Sequence, residues 1–158
     1  MYTRKTWREK LLDDKDLPKV VQIGAKMRKQ FGEGTVAIPA PREIDAIMRR
    51  VPEGKLITIN EIRQLVAKKH KANVGCHITT GIFAWIAAHA AEEDRAGGKS
   101  PITPYWRTLK TGGELNPKYP GGLASLEKLL KKEGHDVQIR GKRRFVVDFQ
   151  KDLVKLRT

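Results

Sequence analysis

One stretch, from residue 104 to residue 134, constrains the fold more than any other part of the chain. Its turn and loop signals are the paired glycines Gly112-Gly113 and Gly121-Gly122. Downstream, Leu126, Leu129 and Leu130 are spaced for the inner face of a last helix, which Gly134 ends. The stretch has four blocks in a fixed order: Pro104-Tyr105-Trp106-Arg107, Gly112-Gly113-Glu114-Leu115, Tyr119-Pro120-Gly121-Gly122, and Leu126-Glu127-Lys128-Leu129-Leu130 with Glu133-Gly134.

These blocks resemble the active-site segment of the methylated-DNA–protein-cysteine alkyltransferases. In that family a Pro-Cys-His-Arg block precedes a Gly-x-Leu turn, a Tyr-x-Gly-Gly lid and a Lys-x-x-Leu-Leu-x-x-Glu-Gly helix. This chain has Tyr105 where the family has its acceptor cysteine, and Trp106 where it has the histidine. Loss of the cysteine also marks the alkyltransferase-like proteins, which bind alkylated DNA without repairing it. The resemblance therefore implies a DNA-binding relative that lacks the nucleophile.

The resemblance also assigns roles within this segment. Arg107 would brace the loop, and Glu133, left with nothing to support, would be a helix-terminal structural residue. The ring of Tyr105 could either line a pocket for an extruded base or plug it, because it is much larger than cysteine. We favour the plug. The residues assigned to the pocket are Tyr105, Trp106 and Arg107, and those assigned to the lid are Tyr119, Gly121 and Gly122.

No other residue is expected to replace the missing chemistry. An alkyl acceptor must be a nucleophile beside a base, and the lone Cys76 lies far upstream of the segment. The histidines and this cysteine have no recognised metal-ligand spacing, and no phosphate-binding glycine motif occurs. We therefore expect no catalytic residue, no metal and no cofactor.

The charge balance favours a polyanionic partner. The chain has 32 Lys+Arg against 18 Asp+Glu, for a net charge of +14, which implies attraction to nucleic acid and says nothing about fold. A single cysteine fits a reducing compartment, and no apolar run approaches the ~20 residues that span a bilayer. We expect a monomer in the cytoplasm, associated with the nucleoid in a prokaryote or nuclear in a eukaryote.

Upstream of residue 104, the sequence pattern predicts a helix, a short strand and a second helix. The first helix covers residues 43–51 and ends at Pro52, and the run Leu56–Ile59 is β-prone. Thr58 or Asn60 can cap the next helix. The order resembles the family's Val-Pro-x-Gly-x-Val-x-Thr-Tyr-Gly-x-Ile-Ala, but Ile59 replaces the tyrosine that presses on the phosphate beside the flipped nucleotide. The matching residues are Val51, Pro52, Gly54, Thr58 and Ile62.

A recognition helix is predicted from Ile78 to about Asp94, with large apolar side chains on one face and small residues elsewhere. It has no Arg, Asn or Gln for major-groove base edges before Arg95. The resembled family places a small-residue helix in the minor groove, and an arginine at the start of that helix fills the gap that the extruded base leaves in the duplex. Here that arginine's position falls on Ala72 or Ile78. The alternative is that the small face packs against another helix. The predicted DNA-binding residues are Thr58, Asn60, Lys71, Thr79, Thr80, Gly81 and Ala84.

Together these features predict an α+β, mainly helical fold: a winged helix-turn-helix domain of the alkyltransferase type over residues 41–135, with a C-terminal β-hairpin extension over residues 136–158. Residues 1–40 are predicted to form a basic arm with a short helix; the arm packs on the domain by Trp7 or lies on phosphates, and the two are compatible. The wing is predicted at residues 108–115, around Gly112-Gly113. The basic turn of the C-terminal hairpin either contacts phosphate or belongs to a solvent-exposed strand edge whose charge prevents pairing with other strands.

The predicted function is non-enzymatic binding of duplex DNA, plain or alkylated, linked to DNA repair or damage recognition, with other repair proteins as partners. Two alternatives stay open. One is a divergent alkyltransferase, or another transferase, that uses Cys76 or Tyr105. The other is a basic RNA-binding or assembly protein on the same fold.

Overall fold

The computed structural model describes residues 4–157, over which the chain forms a mainly helical α+β architecture with a C-terminal β-hairpin. This confirms the predicted fold class. The helices are α1 Trp7–Leu12, α2 Ala25–Phe31, α3 Pro41–Arg49, α4 Ile59–Lys69, α5 His77–Ala96 and α6 Gly122–Lys132. The strands are β1 Lys19–Gln22, β2 Thr35–Ile38, β3 Ile57–Thr58, β4 Val74–Gly75, β5 Thr108–Leu109, β6 Val137–Arg140 and β7 Arg143–Val146.

Helix α5 is the centre of the packing, and its small residues form the buried face. Helices α1 and α3 make the most extensive helix contacts with α5. Small side chains let helix axes approach closely, which is why these positions suit an interior. The alternative weighed above, a small face packed against another helix, is therefore the observed one. The fully buried members of this face are Thr80, Ala84, Ala87, Ala88 and Ala91.

The residues of the predicted arm are part of the packed structure. Thr6 caps α1 in a capping box with Glu9. The indole of Trp7 lies edge-on to Trp85 at 4.8 Å and stacks on His89 at 4.5 Å between ring centroids. The structure shows the packing by Trp7, and contact of the arm with phosphates, which is compatible with it, stays a prediction. Residues 1–3 and 158 lie outside the described part of the chain.

Strands from this N-terminal region also join the turn between α4 and α5. β1 pairs antiparallel with β2, and β2 pairs in parallel with β4, where Val36 is the partner of Val74. The amide of Cys76 donates to the carbonyl oxygen of Ala37 at 2.9 Å. The start of α5 is therefore fixed by a sheet whose other two strands come from residues 19–38.

Helix α4 begins as the sequence predicts. The side chain of Thr58 accepts a hydrogen bond from the amide of Glu61, whose carboxylate accepts one from the amide of Thr58. β3 pairs in parallel with β5. The predicted wing hairpin is shorter than expected, because after β5 the chain closes at once into a turn in which the Lys110 amide donates to the Glu114 carbonyl at 2.8 Å.

The C-terminal hairpin packs against that turn. β6 and β7 are antiparallel, and the amide of Val146 donates to the carbonyl of Gly113 at 2.9 Å. A bridge between Leu56 and Leu153 attaches the following segment to the start of β3. Within residues 4–157, none of the helices has the length and apolar character needed to cross a membrane.

Candidate nucleic-acid interface

Tyr105 is the residue that the sequence resemblance aligns with the family's acceptor cysteine. It begins a short 3₁₀ turn, Tyr105–Arg107, and only 2% of the residue is exposed. Its hydroxyl donates to Glu92 Oε2 at 3.1 Å. Trp106 and Tyr119 meet its ring edge-on, with centroids 5.3 and 6.3 Å away. The ring is packed into the protein and presents no open stacking surface.

The electrostatics at Tyr105 oppose nucleophilic chemistry. Burial raises the pKa of its phenol well above the ordinary value, and the neighbouring Glu92 carboxylate raises it further. The hydrogen bond from Arg95 is the main cause that lowers the pKa of Glu92, so this carboxylate is a weak base. A phenol that stays protonated beside a weak base is a poor nucleophile.

The Glu133 carboxylate accepts hydrogen bonds from two residues of the 3₁₀ turn, Trp106 and Arg107. The prediction that Glu133 has nothing to support is therefore wrong. The indole Nε1 of Trp106 donates to Glu133 Oε2 at 2.8 Å, and Arg107 Nε and Nη2 donate to the same carboxylate at 2.9 and 2.8 Å. Arg107 Nη1 also donates to the Val51 carbonyl at 2.7 Å. Burial opposes the charged form of Glu133, but the hydrogen bonds from Arg107, Trp106 and the Gly54 amide outweigh it and hold its pKa below the usual value.

The predicted lid segment lies closed against α5. Tyr119 is 3% exposed. Gly121 has φ +80°, and a Cβ there would lie 2.5 Å from the Ser125 side chain, so this turn requires glycine. Gly122 follows as the first residue of α6. The imidazole Nε2 of His89 donates to the carbonyl of Lys118 at 3.1 Å, which attaches the loop to α5.

Three of the predicted DNA-binding side chains are inside the protein. Thr58 is buried and caps α4. Thr80 is buried, and its hydroxyl donates to the carbonyl of Cys76 at 2.6 Å. Ala84 is buried on the inner face of α5. All three side chains are enclosed by the protein in this structure, and their assignment to DNA contact stays a prediction.

The other four predicted DNA-binding residues differ in how far they are exposed to solvent. Lys71 is exposed, with φ +54° in the turn after α4. Asn60 is half-buried and accepts from Arg63 Nη1 at 3.5 Å. The hydroxyl oxygen of Thr79 is enclosed and finds no hydrogen-bond partner among the described residues. A Cβ added at Gly81 would have no atom within 4 Å, so Gly81 faces open space.

The outward face of α5 carries the large apolar side chains. Ile78 is 57% exposed and Ile82 is 46% exposed, although large aliphatic residues are usually inside. With Trp85 they line an open concavity of about 540 Å³, whose other wall is Asn116 and Lys118. The sequence analysis did not single out these last two residues, although they directly precede Tyr119.

A second concavity, of about 520 Å³, lies beside the first along α5. Its α5 wall contains Phe83 and Ile86. Lys10 and Lys15, from α1 and the loop after it, stand on the opposite wall. Lys5 is also there, paired with Asp13 at 2.6 Å. The exposed face of α5 therefore has lysines along both of its sides.

Among residues 4–157, no group of three or more His, Cys, Asp or Glu side chains is arranged to hold a metal ion. Cys76 is the N-cap residue of α5, whereas Glu92, the partner of Tyr105, lies on the same helix about four turns later. At a rise of 1.5 Å per residue, this separation is roughly 24 Å along the axis. The thiol of Cys76 is therefore remote from the Tyr105 position.

Comparisons with known proteins give one weak likeness. No family model matches the chain, and no curated protein is similar to it at a significant level. A crystal structure of S. pombe Atl1 in complex with damaged DNA containing O6-carboxymethylguanine is 13% identical, with a TM-score of 0.49. The match covers 73% of this chain and 94% of that one. At this level, the likeness carries no conclusion about what this chain binds.

Proposed function

We propose that this protein binds duplex DNA through the outward face of α5 and does not transfer alkyl groups. The observation that carries the proposal is the exposed apolar face of Ile78 and Ile82 with lysines on both sides. The sequence resemblance of residues 104–134 to the alkyltransferase segment supports the same partner. A role in DNA repair or damage recognition, with repair proteins as partners, belongs to this proposal.

The cations beside this face are available for phosphate. Lys118 and Lys15 form no ion pair within the described part of the chain. Lys10 lies 4.3 Å from the centroid of the Trp7 ring and likewise forms no ion pair there. Lysines that neutralise phosphates release condensed counterions, which gives affinity without sequence preference. Together with the net charge of +14, this favours a polyanion over a neutral ligand.

The geometry of the Tyr105 position supports the proposal that the protein transfers no alkyl group. The phenol of Tyr105 is buried and held protonated, and the Trp106 indole donates to Glu133 where the family's histidine would serve as a base. In this proposal, the buried ring occupies the space that a base would otherwise enter. We therefore expect similar affinity for plain and alkylated duplexes.

The test is a set of parallel anisotropy titrations with a plain duplex, the same duplex carrying one O6-methylguanine, and an RNA duplex of equal length. We expect the two DNA affinities to agree within about three-fold and to exceed the RNA affinity. Intact-mass spectrometry after incubation with the methylated duplex should show no added methyl group. Preferential RNA binding would favour the basic RNA-binding alternative, and a mass gain would favour the transferase.

A further inference from the structure

A groove of about 700 Å³ lies between α4 and the segment that follows the C-terminal hairpin. Its two walls are one face of α4 and residues 154–156. The segment is fixed just before β3, because the Leu56 amide donates to the Asp152 carbonyl and the Val154 amide donates to the Leu56 carbonyl, both at 2.9 Å. Residues far apart in sequence therefore create this groove together.

The lining of the groove is largely apolar although the groove is open to solvent. Leu65, Ala72, Val154 and Leu156 all line it, and each is half-buried, packed against the core while part of its surface stays accessible. Concave surfaces of roughly 300–1,000 Å³ that combine apolar side chains with a few polar groups are typical binding sites. The groove has both the size and the lining of such a site.

Three lysines in the lining have no carboxylate partner. Lys68, Lys71 and Lys155 are exposed, and none of them forms an ion pair within residues 4–157. Among the described residues that line the groove, Glu61 is the only acidic one, and its carboxylate accepts the Thr58 amide at 3.0 Å as part of the α4 cap. The groove therefore presents unneutralised positive charge around apolar side chains.

We infer that this groove binds an acidic amphipathic helix of a partner protein. An apolar centre with a polar rim is the usual anatomy of a protein–protein interface, and amphipathic helices place apolar side chains at i, i+3, i+4 and i+7 into such grooves. The α4 wall extends from Glu61 to Lys68, roughly 10.5 Å at 1.5 Å per residue, which matches two turns of a partner helix. Carboxylates on its flanks pair with the three lysines.

A duplex fits this groove less well than an acidic helix does. Its outer surface presents phosphates, which neutralise lysines but leave Leu65 and Leu156 without an apolar partner. A second copy of this chain would bring another net charge of +14, so repulsion opposes self-association here. The groove shares no lining residue with the two concavities along α5. The inference therefore does not depend on the proposed DNA binding.

The probe is a fluorescent peptide of roughly 15 residues, long enough to form a helix, with Leu along one face and Glu elsewhere. Anisotropy titration at physiological salt should show saturable binding of one peptide to one wild-type protein. A peptide with Ser in place of each Leu tests the apolar contact, and one with Gln in place of each Glu tests the charge. Each should bind more weakly by about ten-fold or more.

Charge reversal in the groove locates the binding site. Lys68→Glu/Lys155→Glu should weaken binding of the acidic peptide by about ten-fold, the scale of two exposed ion pairs lost and replaced by repulsion. The matched control is Lys128→Glu/Lys132→Glu on α6, which changes the net charge equally at exposed lysines without an ion pair in residues 4–157. Its effect should stay below about two-fold, because salt screens distant charges.

A second pair of substitutions covers the case in which the reversed variant is poorly folded. Lys68→Gln/Lys155→Gln removes both charges without adding carboxylates, and it should weaken peptide binding by about three-fold or more.

The outcomes separate this inference from the proposed function. Equal losses in the groove and α6 variants would show that net charge alone attracts the peptide and would overturn the inference. So would a wild-type protein that does not bind the peptide, or that binds the serine peptide equally well. Duplex affinity that falls in the groove variant alone, with peptide binding unchanged, would assign these lysines to phosphate. Wild-type protein that binds the peptide but no duplex would overturn the proposed function and leave the groove assignment intact.

Discussion

At the scale of single residues, Tyr105 determines whether the site can hold a base. Tyr105→Ala removes a fully packed ring, so the free energy of unfolding should fall by roughly 3–5 kcal/mol, as for large aromatic truncations in cores. The ratio of affinities for alkylated and plain duplexes should not change, because the ring stacks on no base. Urea denaturation and duplex titration measure the two effects.

Tyr105→Phe is the control for this substitution. It keeps the packing and removes only the hydroxyl that donates to Glu92, so the loss should be roughly 1 kcal/mol. A strong preference of the wild type for alkylated duplex that disappears in Tyr105→Ala would contradict the plugged site.

Glu133 gives a prediction about pH. Its pKa is depressed in the folded protein, so it contributes stability above the ordinary carboxyl pKa, and this contribution is lost as pH falls through the depressed value. The gap in melting temperature between wild type and Glu133→Gln should therefore be widest near neutral pH. It should narrow as pH falls below about 4.5, the ordinary value.

An exposed carboxylate nearby provides the control. Glu53→Gln, one residue before Gly54, should give a much smaller gap at neutral pH because Glu53 is exposed and its side chain forms no ion pair within residues 4–157. A gap for Glu133→Gln that is the same at every pH would show that the mutation acts through shape rather than charge.

The role of Glu133 could not be predicted from a comparison with the family's histidine alone. The resemblance aligns Trp106 with the family's histidine, but it does not reveal that the indole N–H of Trp106 reaches the Glu133 carboxylate. That contact depends on the path of the 3₁₀ turn and on Arg107, which donates to both Glu133 and the Val51 carbonyl. Such convergence of distant segments has no local sequence signal.

At the scale of elements, the bounds of α5 were predictable and its orientation was not. The helix was expected from Ile78 to about Asp94 and runs from His77 to Ala96. Periodicity finds two faces, one large and apolar and one small. Only the close approach of α3 and α1 decides that the small face is buried, because close packing favours alanine over isoleucine there. The capping box of Thr58, by contrast, is local and was predictable.

Gly81 tests which face of α5 meets the ligand. Gly81→Ala should raise the free energy of unfolding by roughly 0.5–1 kcal/mol, because glycine weakens a helix interior and the added Cβ meets no atom. The same methyl group stands on the outward face, so affinity for duplex DNA should fall. Thermal denaturation and titration of the purified variant measure both changes.

The opposite face supplies the contrast. Ala88→Leu would overfill a fully buried position, and overpacking of this kind lowers stability by roughly 1–3 kcal/mol. If Gly81→Ala left duplex affinity unchanged, the outward face of α5 would not be the interface.

At the scale of the whole molecule, the N-terminal region was the hardest part to predict. Its strands β1 and β2 form one sheet with β4, which lies after α4. At the start of α1, the backbone amides of Trp7 and Arg8 donate to the Glu93 carboxylate at 3.1 and 3.0 Å. These contacts join residues far apart in sequence, and composition does not encode them. The C-terminal hairpin was predictable because alternation and a glycine turn are local signals.

Lys118 tests whether the net positive charge of the molecule acts through a phosphate contact at one defined residue. Removing one phosphate contact should make the slope of log K against log salt shallower by about 0.9. Lys118→Ala should show this change. Lys128→Ala, at an exposed lysine on α6 with no ion pair among residues 4–157, is the matched control and should leave the slope unchanged. Equal slopes for the two variants would remove Lys118 from the interface.

The measurement that tests the central claim most directly is the affinity of the wild-type protein for plain and alkylated duplexes across a salt series. Binding by lysines beside α5 predicts that log K falls linearly with log salt, by about 0.9 per phosphate neutralised. The closed Tyr105 site predicts that the two duplexes give the same line. A flat salt response, or binding of the alkylated duplex alone, would contradict this account.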